Sequence, residues 1–211
     1  MTQPADYGQS VFINCPFDDQ YAPLSRAIAY TVIFCGFYAR SALEEPYSDN
    51  RLKSITRLIR GCRYGIHDLS RTELNANGLP RFNMPFELGM FVGAAIGGGR
   101  LGARKWLVLD TKPYRYQEFI SDIAGCDPAP HGGEPAQAVM HVRNWLQSVS
   151  GRQLPSGSYI FSSYEGLQAQ LPEICSVARL DAQNLTFRDF THIAFQWIRT
   201  TEAADSGPDA N

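Results

Sequence analysis

The sequence predicts an α/β protein, a doubly wound, flavodoxin-like parallel sheet with a small C-terminal helical extension. Two observations lead there. Short apolar runs rich in strand formers alternate with segments of helical periodicity as far as residue 110, and parallel neighbours need such crossovers. Helical patterns then dominate the rest of the chain. The 211 residues are 44% hydrophobic and 19% charged, a globular balance that excludes intrinsic disorder, a collagen-like chain or a disulfide-stapled miniprotein.

Residues 11–17 (VFINCPF) form the first expected strand, stopped by Pro16 and opening into Asp18 and Asp19. Over 21–35, Leu24, Ile28, Thr31, Val32 and Cys35 recur at helical spacing before Gly36 ends the helix. A second strand is expected over 37–43 and a turn over 44–50. Leu52, Ile55, Leu58, Ile59 and Cys62 then mark an amphipathic helix whose basic face carries Arg51, Lys53, Arg57 and Arg60. The third strand, 64–70, ends in polar residues, and the Ser70 to Glu73 spacing matches a capping box for a short helical turn.

A loop over 75–83 precedes the nearly all-apolar run 84–96, too long for a strand and with Pro85 suited to a first helical turn. Gly89, Gly93 and Gly97 share one face of that helix, which predicts close approach of a backbone or ligand to offset their cost of about 1 kcal/mol each. A fourth strand spans 105–110. After a loop over 125–135 come a helix over 136–149, a turn-rich linker over 151–158, and helices around 165–180 and 187–200. Residues 10–150 are therefore expected to form the α/β domain, 159–200 a helical extension and 201–211 a disordered tail.

Charge and cysteine usage narrow the function. Nineteen basic against 21 acidic residues leave a net charge of -2 without a long basic run, which argues against a nucleic-acid binder. Residues 1–9 lack a secretory pattern, and no apolar run approaches the roughly 18 residues of a membrane span. Five cysteines with no C-x-x-C pair read as reduced thiols of a cytoplasmic protein without a zinc site or other cofactor. His131, His141 and His192 lack metal-ligand spacing and read as surface or core histidines.

In an open parallel sheet the ligand crevice lies beyond the carboxyl ends of the strands. Four clusters are expected there, residues 14–19, 40–45, 67–73 and 110–116, joined by Glu87 at the start of the 84–96 helix. Glu87 is the one acid of that run and shares its face with apolar residues, so burial should raise its pKa, as suits an acid or a nucleophile. The competing reading is an acid in a first helical turn that complements the helix dipole. Of His67 and Asp68 only one can face the crevice, because neighbouring strand residues point to opposite faces; Asp68 is the choice, with a turn or cap role as its competing reading. Cys15 reads as a small hydrophobe, and the glycine-rich segment 97–102 as a helix-to-strand connection. Arg71, Arg81 and Arg115 are planar forks suited to phosphate or carboxylate, with an exposed charge as the competing reading of each, and Arg40, Arg71 and Arg81 are the candidates for a phosphate grip.

Three segments together, VFINCPF at 11–17, Asp68-Leu69-Ser70, and NMPFELG at 83–89 followed by a small-residue helix and an apolar strand, resemble the nucleoside 2-deoxyribosyltransferase-like families. The same core and a glutamate on an equivalent helix link them to TIR-like domains, many of which cleave NAD in bacterial defence. The resemblance covers about 11–110 and departs where the transferases carry an Asp-x-Gly-Thr approach and this chain has RFNMP at 81–85. It implies cleavage of a bond between ribose C1′ and nitrogen, with Glu87 as nucleophile or oxocarbenium stabiliser and Asp68 as the second catalytic residue. Asn14, Phe17, Ser70, Arg71 and Asn83 would bind substrate, Phe17 by stacking on a ring. NAD, a nucleotide or a nucleoside would be the substrate, and assembly as a homo-oligomer or with an activating partner protein would fit both families. A non-catalytic nucleotide-sensing or signalling module with the same crevice, and a purely structural interaction domain, are the alternative expectations.

Overall fold

The computed structural model describes residues 7–16, 18–44, 50–74, 77–97, 104–123 and 128–205. Five strands, β1 (Ser10–Asn14), β2 (Tyr38–Arg40), β3 (Tyr64–Asp68), β4 (Lys105–Asp110) and β5 (Ala129–Pro130), form one sheet in the order β2-β1-β3-β4-β5. Every pairing is parallel. This is the flavodoxin-like doubly wound order, whose topological switch point lies between β1 and β3.

Alternation along β1 divides the core between the two faces of the sheet. Val11 and Ile13 point toward α1 (Ala22–Phe34) and α4 (Pro135–Ser150), whereas Phe12 points toward α2 (Arg51–Arg60) and α3 (Asn83–Ile96). Phe12 stacks parallel to Phe91 of α3 at 6.5 Å between ring centroids. Gly65 permits that close packing on the neighbouring strand, since a Cβ there would lie 2.9 Å from the Phe91 ring.

Buried Arg104, just before β4, ties α2 to α3. It donates to the Ile59 (2.8 Å), Arg60 (3.1 Å), Cys62 (3.0 Å) and Ala94 (3.2 Å) carbonyls, the first two at the C-terminus of α2, where helix carbonyls lack intrahelical partners. The C-terminal helices α5 (Gly157–Ala178) and α6 (Phe187–Asp205) pack over α1 and α4. Ile160, Leu167, Leu171, Phe190 and Ala194 join the same apolar cluster as Val11 and Ile13, so the extension completes the core on that face. Among the described residues no helix is long and apolar enough to cross a membrane.

Several local expectations are corrected. The 129–130 segment, expected as loop, pairs with β4 as an edge strand, a position that tolerates Pro130. No helical turn follows Ser70; its hydroxyl turns inward to His131, and Leu74 instead bridges Pro80 in antiparallel fashion. Helix α5 begins at Gly157, where Ser156 Oγ accepts the Tyr159 N–H, eight residues ahead of the expected start at 165. Helix α6 runs on to Asp205, into the expected tail. Gly89 and Gly93 face open space, and a Cβ on Gly97 would meet only the Gly93 carbonyl, at 3.1 Å. Among the described residues nothing approaches Gly89 or Gly93 closely enough to offset their cost.

Candidate active site at the switch point

The carboxyl ends of β1 and β3 bring together Asn14, Asp68 and Ser70, and α3 adds Glu87 from one face of the sheet. Strand alternation separates the two expected catalytic carboxylates. Tyr64, Ile66 and Asp68 share the α1/α4 face, whereas Glu87 lies on the inner stripe of α3 beside Met84, Leu88 and Phe91.

Asp68 is fully buried and its carboxylate is engaged by the protein. Oδ2 accepts from the Tyr21 hydroxyl at the entry to α1 and from His131 Nε2 at 2.9 Å, while Oδ1 accepts the Ser70 N–H at 2.7 Å. Burial alone would raise its pKa, but these hydrogen bonds from His131, Ser70 and Tyr21 hold it below the usual value. His131 is positioned by the turn that follows it. Gly132 (φ +63°) and Gly133 (φ +86°) curl the backbone so that the Gly133 N–H donates to His131 Nδ1 at 2.9 Å. The ring proton therefore sits on Nε2, within 2.9 Å of both Asp68 Oδ2 and Ser70 Oγ. Asp68 and Ser70 share that one nitrogen, so the three residues form a structural lock instead of a nucleophilic relay, which needs acid and serine on opposite ring nitrogens.

Across the sheet, Asn14 Nδ2 donates to the Met84 carbonyl at 2.9 Å and to His67 Nδ1 at 3.1 Å, tying the first turn of α3 to β1 and β3. His67 packs edge-on against Phe12 and Phe91, and burial lowers its pKa to about 3, so it is neutral at pH 7. Cys15 is 2% exposed; burial, with the nearby Asp68 and Glu87 charges, holds its thiol well above the ordinary value and keeps it inert.

Glu87 Oε2, like the Nε2 of His67, is left without a hydrogen-bond partner among the described residues. Helix α3 starts at Asn83, which puts Glu87 in the second turn, and it makes no capping bond. It is 5% exposed, and its Oε2 is sealed from solvent with no hydrogen-bond partner among the described residues. Burial pushes its pKa up to about 7, opposed only weakly by the Arg51 charge. A buried carboxyl in this condition is held between protonation states at neutral pH, which suits acid, base or nucleophile roles.

The remaining expected site residues divide. Asn83 is exposed at the start of α3. Arg71 reaches across the switch point to Asp18 Oδ1 and Gln20 Oε1, both at 3.0 Å. Arg115 is held by Asp110, Thr72 and the Leu69 carbonyl, and Arg40 by Glu44. Phe17 lies outside the described residues. Sequence reasoning missed Tyr21, which the entry to α1 places, and His131, which β5 places beside β4; the consecutive glycines after His131 were the one available signal.

Fold and site together define a doubly wound α/β protein with a locked aspartate and an unpaired buried glutamate flanking its switch point. No protein-family model, curated protein or solved structure matches the chain.

Proposed function

We propose that the chain cleaves an N-glycosidic bond of a nucleotide, such as NAD or a related compound, with Glu87 as nucleophile or oxocarbenium stabiliser. The observation that carries this reading is the unpartnered Glu87 carboxyl, with its pKa near 7, beside the crevice of a doubly wound sheet. As ribose C1′ parts from the base nitrogen, positive charge develops on the sugar ring. An apposed Glu87 carboxylate either stabilises that charge or attacks C1′ to form a ribosyl ester, which water or another acceptor resolves. The working form is the carboxylate, so turnover rises with pH through about 7.

Asp68, Ser70 and Asn14 act as positioning residues, because their polar atoms are directed into the protein. Asn83, exposed one helical turn before Glu87, is free to meet ribose hydroxyls. The inward orientation of the first three favours one second reading, a nucleotide-sensing module that binds in the same crevice without turnover.

Chromatography of the purified chain incubated with NAD and a panel of nucleotides and nucleosides, alongside Glu87→Gln, separates the two. Release of nicotinamide or free base that the substitution abolishes supports cleavage. Binding without release supports the sensor, and release undiminished in Glu87→Gln refutes the catalytic assignment.

A further inference from the structure

The Asp18 carboxylate, four residues past β1, gathers two arginines from separate segments and shares a local turn N–H. Oδ1 accepts from Arg71 Nη2, beyond β3, at 3.0 Å and shares, at 3.1 Å, the backbone N–H of Tyr21, which also donates to the Asp18 carbonyl at 2.9 Å. Oδ2 accepts from Arg81 Nη1, just ahead of α3, at 3.1 Å. Two guanidinium groups are a donor set that a phosphate group takes, and here they converge on one anion at the switch point.

We propose that Arg71 and Arg81 form a phosphate clamp for which Asp18 is the built-in stand-in, displaced when the phosphate of a nucleotide binds. For its substrate this inference rests on the glycosidic reading, and it deepens that reading by selecting phosphorylated nucleotides over free nucleosides.

Exposure decides whether such an exchange is feasible. Asp18 keeps 27% of its side-chain surface, Arg71 32% and Arg81 53%, so the pairs are screened and individually weak. A phosphate carries up to twice the charge of the carboxylate and three acceptor oxygens, so it competes well for the same donors. Asp18, released to solvent, loses little. Buried Asp110 and Arg115 offer the contrast: that carboxylate is 0% exposed and its arginine is also bound to Thr72 and Leu69, so the pair is built to stay closed. Neither Arg71 nor Arg81 has a second carboxylate partner among the described residues.

Isothermal titration calorimetry on the full chain tests the clamp with inorganic pyrophosphate, AMP and adenosine as probes. The wild type is compared with Asp18→Asn and with Arg71→Gln/Arg81→Gln, whose folding is checked by circular dichroism. Asp18→Asn removes the competing charge and keeps the side-chain acceptor for the Tyr21 N–H. It should tighten pyrophosphate and AMP by about fivefold, the worth of two exposed ion pairs, and leave adenosine unchanged. The double arginine variant should weaken pyrophosphate and AMP by about tenfold or more and bring AMP to the adenosine level.

Equal affinity of the wild type for AMP and adenosine, or Asp18→Asn affinities for pyrophosphate and AMP that do not rise, would overturn the clamp. The two readings fail separately. Pyrophosphate binding with the expected variant pattern but no base release from any compound leaves the clamp standing and removes the glycosidic assignment. Cleavage of nucleosides as efficient as that of nucleotides, unaffected by the arginine substitutions, does the reverse.

Discussion

Glu87→Gln gives a stability signature that needs no substrate. The folded carboxyl titrates near 7 against an ordinary 4.5, so the folded chain holds a proton that the unfolded chain releases between those values. Stability is therefore highest below pH 4.5 for this group and declines as pH rises through 7. Linkage with these two values gives a penalty of about 3 kcal/mol at pH 8, about 2 at pH 6 and almost none at pH 4. Glutamine carries no such penalty, and every other titrating group is common to both proteins. The difference in unfolding free energy between Glu87→Gln and wild type should thus shift in favour of the variant by about 3 kcal/mol from pH 4 to pH 8. Urea unfolding followed by far-ultraviolet circular dichroism at several pH values measures it. A difference that stays constant over that range would mean that Glu87 is not a desolvated, unpaired carboxyl, and the reasoning from its burial would fail.

Further outcomes follow from the rest of the molecule. Asp68→Asn should cost about 2–4 kcal/mol at pH 7, because an amide that keeps its oxygen toward Tyr21 and His131 turns its NH2 onto the Ser70 N–H, and the deficit should shrink as pH falls below 3.8, where the wild type itself loses its depressed carboxylate. Urea midpoints at pH 7 and pH 3 check this. Arg104→Lys should lose about 2–4 kcal/mol, since one ammonium cannot reach the four carbonyls that the guanidinium fork satisfies; thermal unfolding tests it. Gly89→Ala and Gly93→Ala should each gain about 0.5–1 kcal/mol, because a Cβ at either position meets nothing within 4 Å, and a lowered unfolding midpoint would contradict that. Brief alkylation of the native protein should leave Cys15, Cys35, Cys62 and Cys175 unmodified by peptide mass mapping, as buried thiols held well protonated.

The elements legible in the sequence were those with a strong repeating pattern. Strand β4 has the expected bounds of 105–110, and α3 differs from expectation by one residue at its start, because uninterrupted apolar runs bounded by turn residues leave little choice. Strand β5 was hidden because an Ala-Pro pair has no strand propensity of its own; pairing with Leu109 and Asp110 makes it a strand. The Gly-Ser-rich start of α5 looked like linker because local propensity disfavours helix there, and packing of Gly157 against Met140 overrides it. The capping-box spacing at Ser70 misled for a similar reason. A buried partner, His131, claims the hydroxyl that a local cap would have used.

At the site, sequence alone determined which chemistry-bearing residues reach the carboxyl edge of the sheet, because strand ends and helix starts follow from local patterns. Asn14, Asp68, Ser70 and Glu87 were all found that way. Only the tertiary structure decided what each can do there. It turned Asp68 onto Tyr21 and His131, left Glu87 buried and unpaired across the sheet, and brought Arg71 and Arg81 together on Asp18. Hydrogen-bond partners and desolvation arise between segments 47 to 63 residues apart in these contacts, and no local pattern carries that information.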